Sequence, residues 1–369
     1  MIERSSSAMP QSGSRLPSDH RLKDRVTAPR GYWWWRQGRF SVLIDRRDVL
    51  ALLVLLLALL VASGTYLCLG NVPIAPAALW QMILGEGEAM PRFVVEQLRL
   101  PRLVAAVATG AAFAVAGCLM QTLARNRLAT PGIIGIDNGA TAFAVASVVG
   151  VGLSLAPSAM ALAGATTAAV ITFGLSVGGG ARGYRFIVAG IGVGAVFAAL
   201  TQLMLARSAI DLANAAWPWT VGSLNSRPPN ATLVLLIGLV LGMPLSLWLA
   251  RSLGLMRFSD AVAMSLGVPM RRRRFQVLAT SVVLTGLAVA VAGPVGMVSL
   301  IGPEIARSLG SPRQVPVLGS ALAGALVMVL ADLCGRLLLA PLELPVGIVT
   351  AVVGGPWLLW ILLRSSGSR

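Results

Sequence analysis

Side chains that carry chemistry are scarce in this chain. Its one histidine is His20 and its one lysine is Lys23, both in a polar N-terminal stretch. A single histidine excludes a zinc site of the His-x-x-x-His kind and haem held by two histidines. It also leaves no base for a histidine-activated nucleophile in the apolar part of the chain, which removes a membrane hydrolase of that type. A single lysine, outside any Gly-Lys-Ser/Thr pattern, excludes a phosphate-binding loop. Any ATP hydrolysis linked to this chain therefore belongs to another subunit. Cys68, Cys118 and Cys334 stand alone within apolar runs, which is neither a disulfide framework nor a metal-binding spacing. They read as small packing residues. Charge is the other shortage: 12% of residues are charged, against about 25% in a soluble domain.

In place of charge there are long apolar blocks. Asp48 to Leu69 has one charge, at its first position, and neither 231–250 nor 277–301 has any. A helix crosses hydrocarbon with about 20 apolar residues, whereas the strands of a membrane barrel alternate apolar and polar. These blocks are apolar on every side, so the fold class is all-α and polytopic. Ten spans are predicted, at 48–69, 101–124, 131–151, 154–176, 184–206, 231–251, 275–297, 299–309, 315–339 and 345–365. Residues 1–47 are rich in Ser, Pro and Arg without apolar periodicity, and read as a disordered basic cytoplasmic tail. Within it, Tyr32-Trp33-Trp34-Trp35-Arg36 suits a membrane surface. The domain organisation is thus a 1–47 tail and a 48–365 membrane domain.

The net charge of +16 admits a nucleic-acid reading, but no aromatic platforms interleave with a basic groove. The basic residues instead follow the positive-inside rule. With the tail inside and ten spans, 24 of them fall in inside segments and 6 outside, and both termini are cytoplasmic. Pro131-Gly132, Gly293-Pro294 and Gly302-Pro303 break the apolar pattern. Irregular backbone at membrane depth survives only against protein or a water-filled path, so these breaks hint at a transport route. Gly110-AAFAVA-Gly117 and Gly286-LAVAVA-Gly293 echo each other in helices of opposite direction. Inverted repeats of this kind are common in transporters, although Ala/Gly/Val-rich helices also resemble one another by chance.

Three polar segments ask for a reason. The cytoplasmic segment 251–274 holds Ser259 or Asp260 as a helix cap and Gly267 as a stop, around Ala261, Ala263, Met264 and Leu266. It reads either as a short helix docking into a partner's groove or as a surface loop held by Arg271–Arg274. On the outside, Arg99-Leu100-Pro101-Arg102 and Arg336 run against the charge rule. They answer to an acidic partner, to lipid headgroups, or to an internal pair such as Asp332 with Arg336 at i, i+4. Charge within a membrane is costly, which makes Asp332 a functional or packing residue.

Five ordered motifs then carry a resemblance: LRLPRLVAAVATGAAFAVAGCLMQTLARNRLATPGIIGIDNGA at 98–140, WPWTVGSL at 217–224, FSDAVAMSLGV at 258–268, AGPVGMVSLIGPEIARSLG at 292–310, and ADLCGRLLLAPLELPVGIVTAVVGGPWLLWILLR at 331–364. Over roughly 70–365 the chain resembles the membrane permeases of binding-protein-dependent ABC importers for iron–siderophore complexes, haem and cobalamin.

The resemblance implies ten helices per subunit in two inverted-repeat-like halves, in the bacterial inner membrane. It implies as partners a second permease subunit, identical or paralogous, two ATP-binding subunits and a periplasmic binding protein. It implies no cofactor on this chain, ATP and Mg being held by the partners, and no catalysis by it. By motif, Ser259, Asp260, Ala263, Leu266 and Gly267 fall on the family's ATPase-coupling segment, which favours docking over a plain loop. Arg99, Arg102 and Arg336 match arginines that meet acidic residues of the binding protein. The cytoplasmic gate between the fourth and fifth spans falls on about Ser176 to Gly183, including Gly178, Gly179 and Gly180. Ferric siderophore is the favoured cargo, moved whole by alternating access, with haem and cobalamin open. Arg127 stands where the family has Pro in Asn-Pro-Leu-Ala, and Glu304 where it has His in Pro-His-Ile-Ala-Arg. An ion-coupled transporter would need paired intramembrane carboxylates, and Asp137, Glu304 and Asp332 are scattered.

Overall fold

A computed structural model describes residues 32–37, 40–70, 72–85, 88–150, 155–176, 184–225 and 228–366. The chain divides into two compact units, Met1–Arg46 and Arg47–Arg369. In the first, Tyr32–Gln37 (β1) and Phe40–Asp45 (β2) form an antiparallel hairpin, with Tyr32 opposite Asp45 and Gln37 opposite Phe40. This hairpin occupies the end of the stretch read as a structureless tail. Residues 1–31 of that stretch lie outside the described residues.

The second unit is helical. Its elements are α1 (Arg46–Cys68), α2 (Pro76–Ile83), α3 (Ala89–Phe93), α4 (Leu100–Ala124), α5 (Ile136–Val149), α6 (Pro157–Leu175), α7 (Tyr184–Arg207), α8 (Ile210–Val221), α9 (Pro229–Met256), α10 (Asp260–Ser265), α11 (Met270–Ala292), α12 (Gly296–Leu309), α13 (Val317–Leu337) and α14 (Val346–Ser366). Among the described residues seven helices are long and apolar enough to cross a membrane, and α5 and α14 contribute shorter apolar helices. Each of the ten predicted spans coincides with a helix; α5 and α12, at 14 residues each, are the shortest of these and both carry charge. Pro345 and Pro316 precede α14 and α13, and Pro157 and Pro229 open α6 and α9, where the missing N–H costs nothing.

Several span ends shift by a few residues, and two differences from the sequence reading have a plain physical reason. Helix α11 starts at Met270, so Arg271–Arg274 are its first turns; the loss of apolar character there marks the edge of hydrocarbon and not the edge of the helix. Helix α8 falls in a stretch read as a connection. It is 12 residues long and holds Pro218, too short and too interrupted for a span-length pattern to reveal it.

The core forms around α4, whose window is 83% buried, and α11, at 72%. Asp260 pairs both with Arg125, just past the end of α4, and with Arg274, near the start of α11, so the two helices run in opposite directions, each carrying one of the echoing Gly segments. Small residues set the spacing. A Cβ added at Gly110 would lie 2.7 Å from the Met328 Cβ and would also strike the Gly324 carbonyl of α13. One at Gly117 would strike the Ser299 carbonyl of α12. Close approach through Gly is the usual solution in lipid, where dispersion and not water exclusion joins helices. By contrast α1 and α9 bury only 28% and 17% of their windows; Leu53, Leu57, Leu60, Val240 and Leu241 face outward, as a lipid-facing helix requires.

Candidate functional site

Helix α4 has Arg102 in its first turn and Arg125 just past its last residue, so its 25 residues separate two polar clusters by roughly 37 Å at 1.5 Å per residue.

The first cluster begins with a π-helical turn at Val94–Arg99, which joins α3 to α4. Such turns shift the facing of a helix by inserting one extra residue, often at functional sites. Here the turn buries Arg99, which is only 4% exposed. Arg99 donates to the carbonyls of Leu67 at 2.6 Å, Cys68 at 3.1 Å and Val72 at 2.5 Å. It therefore holds the end of α1 and the segment after it. One turn on, Arg102 grips Asp332 of α13 with two bonds, Nε to Oδ2 and Nη2 to Oδ1, each 2.9 Å. Its Nη1 reaches Glu343 at 2.8 Å. The Tyr66 hydroxyl of α1 donates to Asp332 Oδ2 at 2.6 Å, and Arg336 lies 4.8 Å over the Tyr66 ring, a cation–π distance. Asp332, 1% exposed, is thus neutralised by Arg102 and further bonded by the Tyr66 hydroxyl, not paired with Arg336 four residues on. A two-point guanidinium–carboxylate pair with further bonds is the arrangement that makes a buried ion pair tolerable.

Arg99, Arg102 and Arg336 are brought together as expected, and they line a cavity of about 640 Å³ with Gln97, Asn225 and Glu343. Glu343 and Tyr66 were missed as members of this cluster. Glu343 was visible as the acid of Glu-Leu-Pro; nothing in the sequence pointed to Tyr66.

The second cluster surrounds α10. The Ser259 Oγ accepts from the Val262 N–H at 3.1 Å, which is an N-cap, and Gly267 ends the turn at φ +80°, a conformation favouring glycine. Ser259 and Gly267 thus do what the sequence assigned to them. Ala263 is fully buried, facing inward, while Leu266 is exposed. Phe258, Val262 and Met264 are exposed together with Leu266; the sequence reading placed Met264 and Leu266 in its apolar docking face but passed over Phe258 and Val262, and it included Ala263, which points inward. Asp260 pairs with Arg125 at 3.0 Å and with Arg274. Arg125 also donates through Nε to the Met256 carbonyl at 2.9 Å. Helix α10 is therefore bolted to the ends of α4, α9 and α11.

Beside it, Arg127 Nη1 meets Glu304 Oε1 at 3.0 Å, and Arg307 meets Glu304 Oε2 at 3.1 Å. Arg307 also donates to the Gln121 side chain. The two residues that depart from the family pattern are partners: a cation in place of Pro meets an anion in place of His. Of the expected gate, Ser176 caps α6, is buried, and donates to the Thr172 carbonyl at 2.6 Å. Gly178, Gly179 and Gly180 lie outside the described residues. The three cysteines are free and apart.

This is the architecture of a multi-pass membrane permease: a helical bundle built around small-residue contacts, with a short capped helix exposing apolar side chains at one end. The chain belongs to the FecCD transport family, whose signature matches residues 52–364, a family of permease subunits of ABC importers. It is 37% identical over 341 residues to the achromobactin transport system permease protein CbrC of Dickeya dadantii (strain 3937), covering 89% of this chain and 96% of that one. It is 32% identical to the ferric enterobactin transport system permease protein FepG of Escherichia coli (strain K12), covering 89% and 100%. The hemin transport system permease protein HmuU of Yersinia pestis is 34% identical, with 88% and 98% covered. Among solved structures, one described as a metal-chelate type ABC transporter in an inward-facing conformation superposes with a TM-score of 0.74 at 26% identity, covering 86% of this chain and 99% of that chain.

Proposed function

We propose that this chain is the inner-membrane permease through which a ferric siderophore complex enters the cytoplasm. The observation that carries the import reading is α10: a capped helix of six residues fastened to three spans, with Phe258, Val262, Met264 and Leu266 turned outward. Apolar side chains standing out from a short, fastened helix are a shape that a groove on an ATP-binding subunit can hold. Relatives named for achromobactin and ferric enterobactin support the cargo.

In this reading the α10 end is cytoplasmic, as are both termini, and the Arg99 end is periplasmic. Two ATP-binding subunits, holding ATP and Mg, close on ATP and push on α10 through Ser259–Gly267. Arg125 and Arg274, joined to Asp260, pass that motion to α4 and α11. A second permease subunit completes the path, and the gate near Ser176–Gly180 opens inward. At the periplasmic face a binding protein docks over Arg102 and Arg336 through acidic groups. Arg99, with three carbonyl acceptors, serves that face by holding its rim in shape. The chain performs no catalysis and holds no metal; the complex crosses whole.

A second reading, haem or cobalamin as cargo, is favoured by relatives named for hemin and vitamin B12 at 34% identity each. Reconstitution into liposomes with the ATP-binding subunits and the loaded binding protein separates the readings. ATP-dependent uptake of ferric siderophore, without haemin or cobalamin, is the expected result. Uptake of haemin or cobalamin instead replaces the cargo, and accumulation without ATP-binding subunits overturns the importer class.

A further inference from the structure

A second cavity, of about 270 Å³, lies at the α10 end and is lined by Arg125, Arg127, Arg257 and Arg307 together with Gln121 and Gln314. Among the described residues no carboxylate lines it, although Glu304 and Asp260 pair with three of these arginines. Four guanidiniums around one cavity in a protein of this size is a concentration of positive charge that needs an account.

Part of the account is local. Helices α4, α9 and α12 all end here, and each C-terminus carries roughly half a negative charge. Arg125 caps α9 at the Met256 carbonyl and pairs with Asp260 at 3.0 Å. Arg257 donates to the Pro312 carbonyl at 2.9 Å and, at 3.4 Å, to that of Gln314. Glu304 takes one bond from Arg127 and one from Arg307. These partners occupy some donors of each guanidinium and leave the charge of the cavity positive. A guanidinium presents five donors, and the bonds to Glu304 and the carbonyls do not use all five on any of the four. Arg127 in particular keeps 65% of its side chain exposed. The backbone supports the convergence: Arg125 holds a left-handed conformation at φ 52°, which is uncommon for a residue with a side chain. That conformation ends α4 and directs the chain into Asn126-Arg127.

We infer that this cavity binds a phosphate-bearing anion, held by Arg127 and Arg257 at its mouth and by Arg125 and Arg307 behind them. Planar forks matching phosphate oxygens two at a time are the chemistry of choice for such a group. Basic pockets between the ends of membrane helices hold anionic lipid headgroups by this means, and free phosphate presents the same oxygens. Arg127 is one of the two departures from the family pattern, so the site is a property of this chain's own sequence.

The test uses the purified full-length permease in neutral detergent. Phosphatidylglycerol, phosphatidylcholine and inorganic phosphate are titrated separately, with lipid retention read by native mass spectrometry and protection read by thermal unfolding. Wild type is expected to retain phosphatidylglycerol over phosphatidylcholine. The Arg127→Gln/Arg257→Gln variant should bind about 30-fold more weakly, from roughly fivefold for each arginine near a charged surface. Arg271→Gln, an exposed arginine outside the cavity, should bind as wild type does. Protection by phosphate alone, lost in the double variant, identifies the free anion as ligand; protection by phosphatidylglycerol alone identifies the headgroup. The inference is overturned if the two lipids bind alike and phosphate gives no protection, or if Arg271→Gln weakens binding as much as the double variant does. The Arg127→Lys/Arg257→Lys variant keeps the charge and should keep most of the binding; a loss as large as in the glutamine variant would assign the effect to lost packing and also overturn the inference.

Discussion

The two polar clusters at the ends of α4 use the same residue types in opposite ways. At the Arg99 end, charge is sealed. Asp332 is 1% exposed and Arg102 keeps 13% of its side chain in view. The bonds run between residues 230 to 266 positions apart. At the α10 end, more of the charge is open: Asp260 and Arg125 are 42% and 34% exposed and Arg127 is 65% exposed, although Glu304 between Arg127 and Arg307 is buried. Sealed pairs fix one arrangement because breaking them strands a charge. Open pairs contribute little energy and can be rearranged at small cost. One end is thus built to hold shape, and the other is built to be moved by, or to meet, something else.

Substitutions should separate the two ends. The largest effect is expected for Asp332→Ala, which strands Arg102 and leaves the Tyr66 hydroxyl without its acceptor. About 3–5 kcal/mol of stability should be lost, read as thermal or denaturant unfolding in detergent. The joint change Arg102→Met with Asp332→Leu should recover most of it; failure to recover would mean that this cluster is not held by its ion pair. Next, Gly117→Val forces a side chain against the Ser299 backbone of α12 and should cost about 1–3 kcal/mol through overpacking, in the same assay. At the α10 end, Phe258→Ser with Leu266→Ser should leave unfolding unchanged while ATP-dependent uptake falls at least tenfold, on the order of 1.4 kcal/mol of lost docking. Unchanged uptake would remove α10 from the coupling path. Smallest of all, Arg127→Glu should cost about 0.5–1 kcal/mol, as exposed pairs do, and Glu304→Arg added to it should restore the loss. A loss of several kcal/mol from Arg127→Glu alone would make this end as sealed as the other and erase the contrast.

What the sequence disclosed follows the same division. Spans were legible because hydropathy is a property of consecutive residues, and α10 was legible because its cap and stop, Ser259 and Gly267, lie within nine positions of each other. The apolar face of α10 was half legible: Met264 and Leu266 were named, while Phe258 and Val262 were passed over and Ala263 was included, because only the inward turn of Ala263 fixes which side each residue occupies. At the other end, Arg99 and Arg102 were correctly marked as arginines needing a partner. That the partners are carbonyls of Leu67, Cys68 and Val72 for one, and Asp332 with Glu343 for the other, depends on helices meeting in three dimensions, and no local pattern encodes it. The hairpin at Tyr32–Asp45 was hidden by its surroundings, since a short aromatic run beside a Ser/Pro/Arg-rich stretch has too few residues to show alternation.

The bond between Arg102 and Asp332 has a consequence in time. The two residues are 230 positions apart, and ribosomes add roughly 5–20 residues per second. Arg102 is therefore made about 10–50 s before the carboxylate that will neutralise it. During that interval the first turn of α4 carries an unmatched charge, and its place beside the π-helical turn, at the end of its span, lets it wait in the headgroup layer. The lock closes only when α13 arrives, so the far end of the chain completes this cluster, and a nascent chain cut short before Asp332 would hold every earlier span without it.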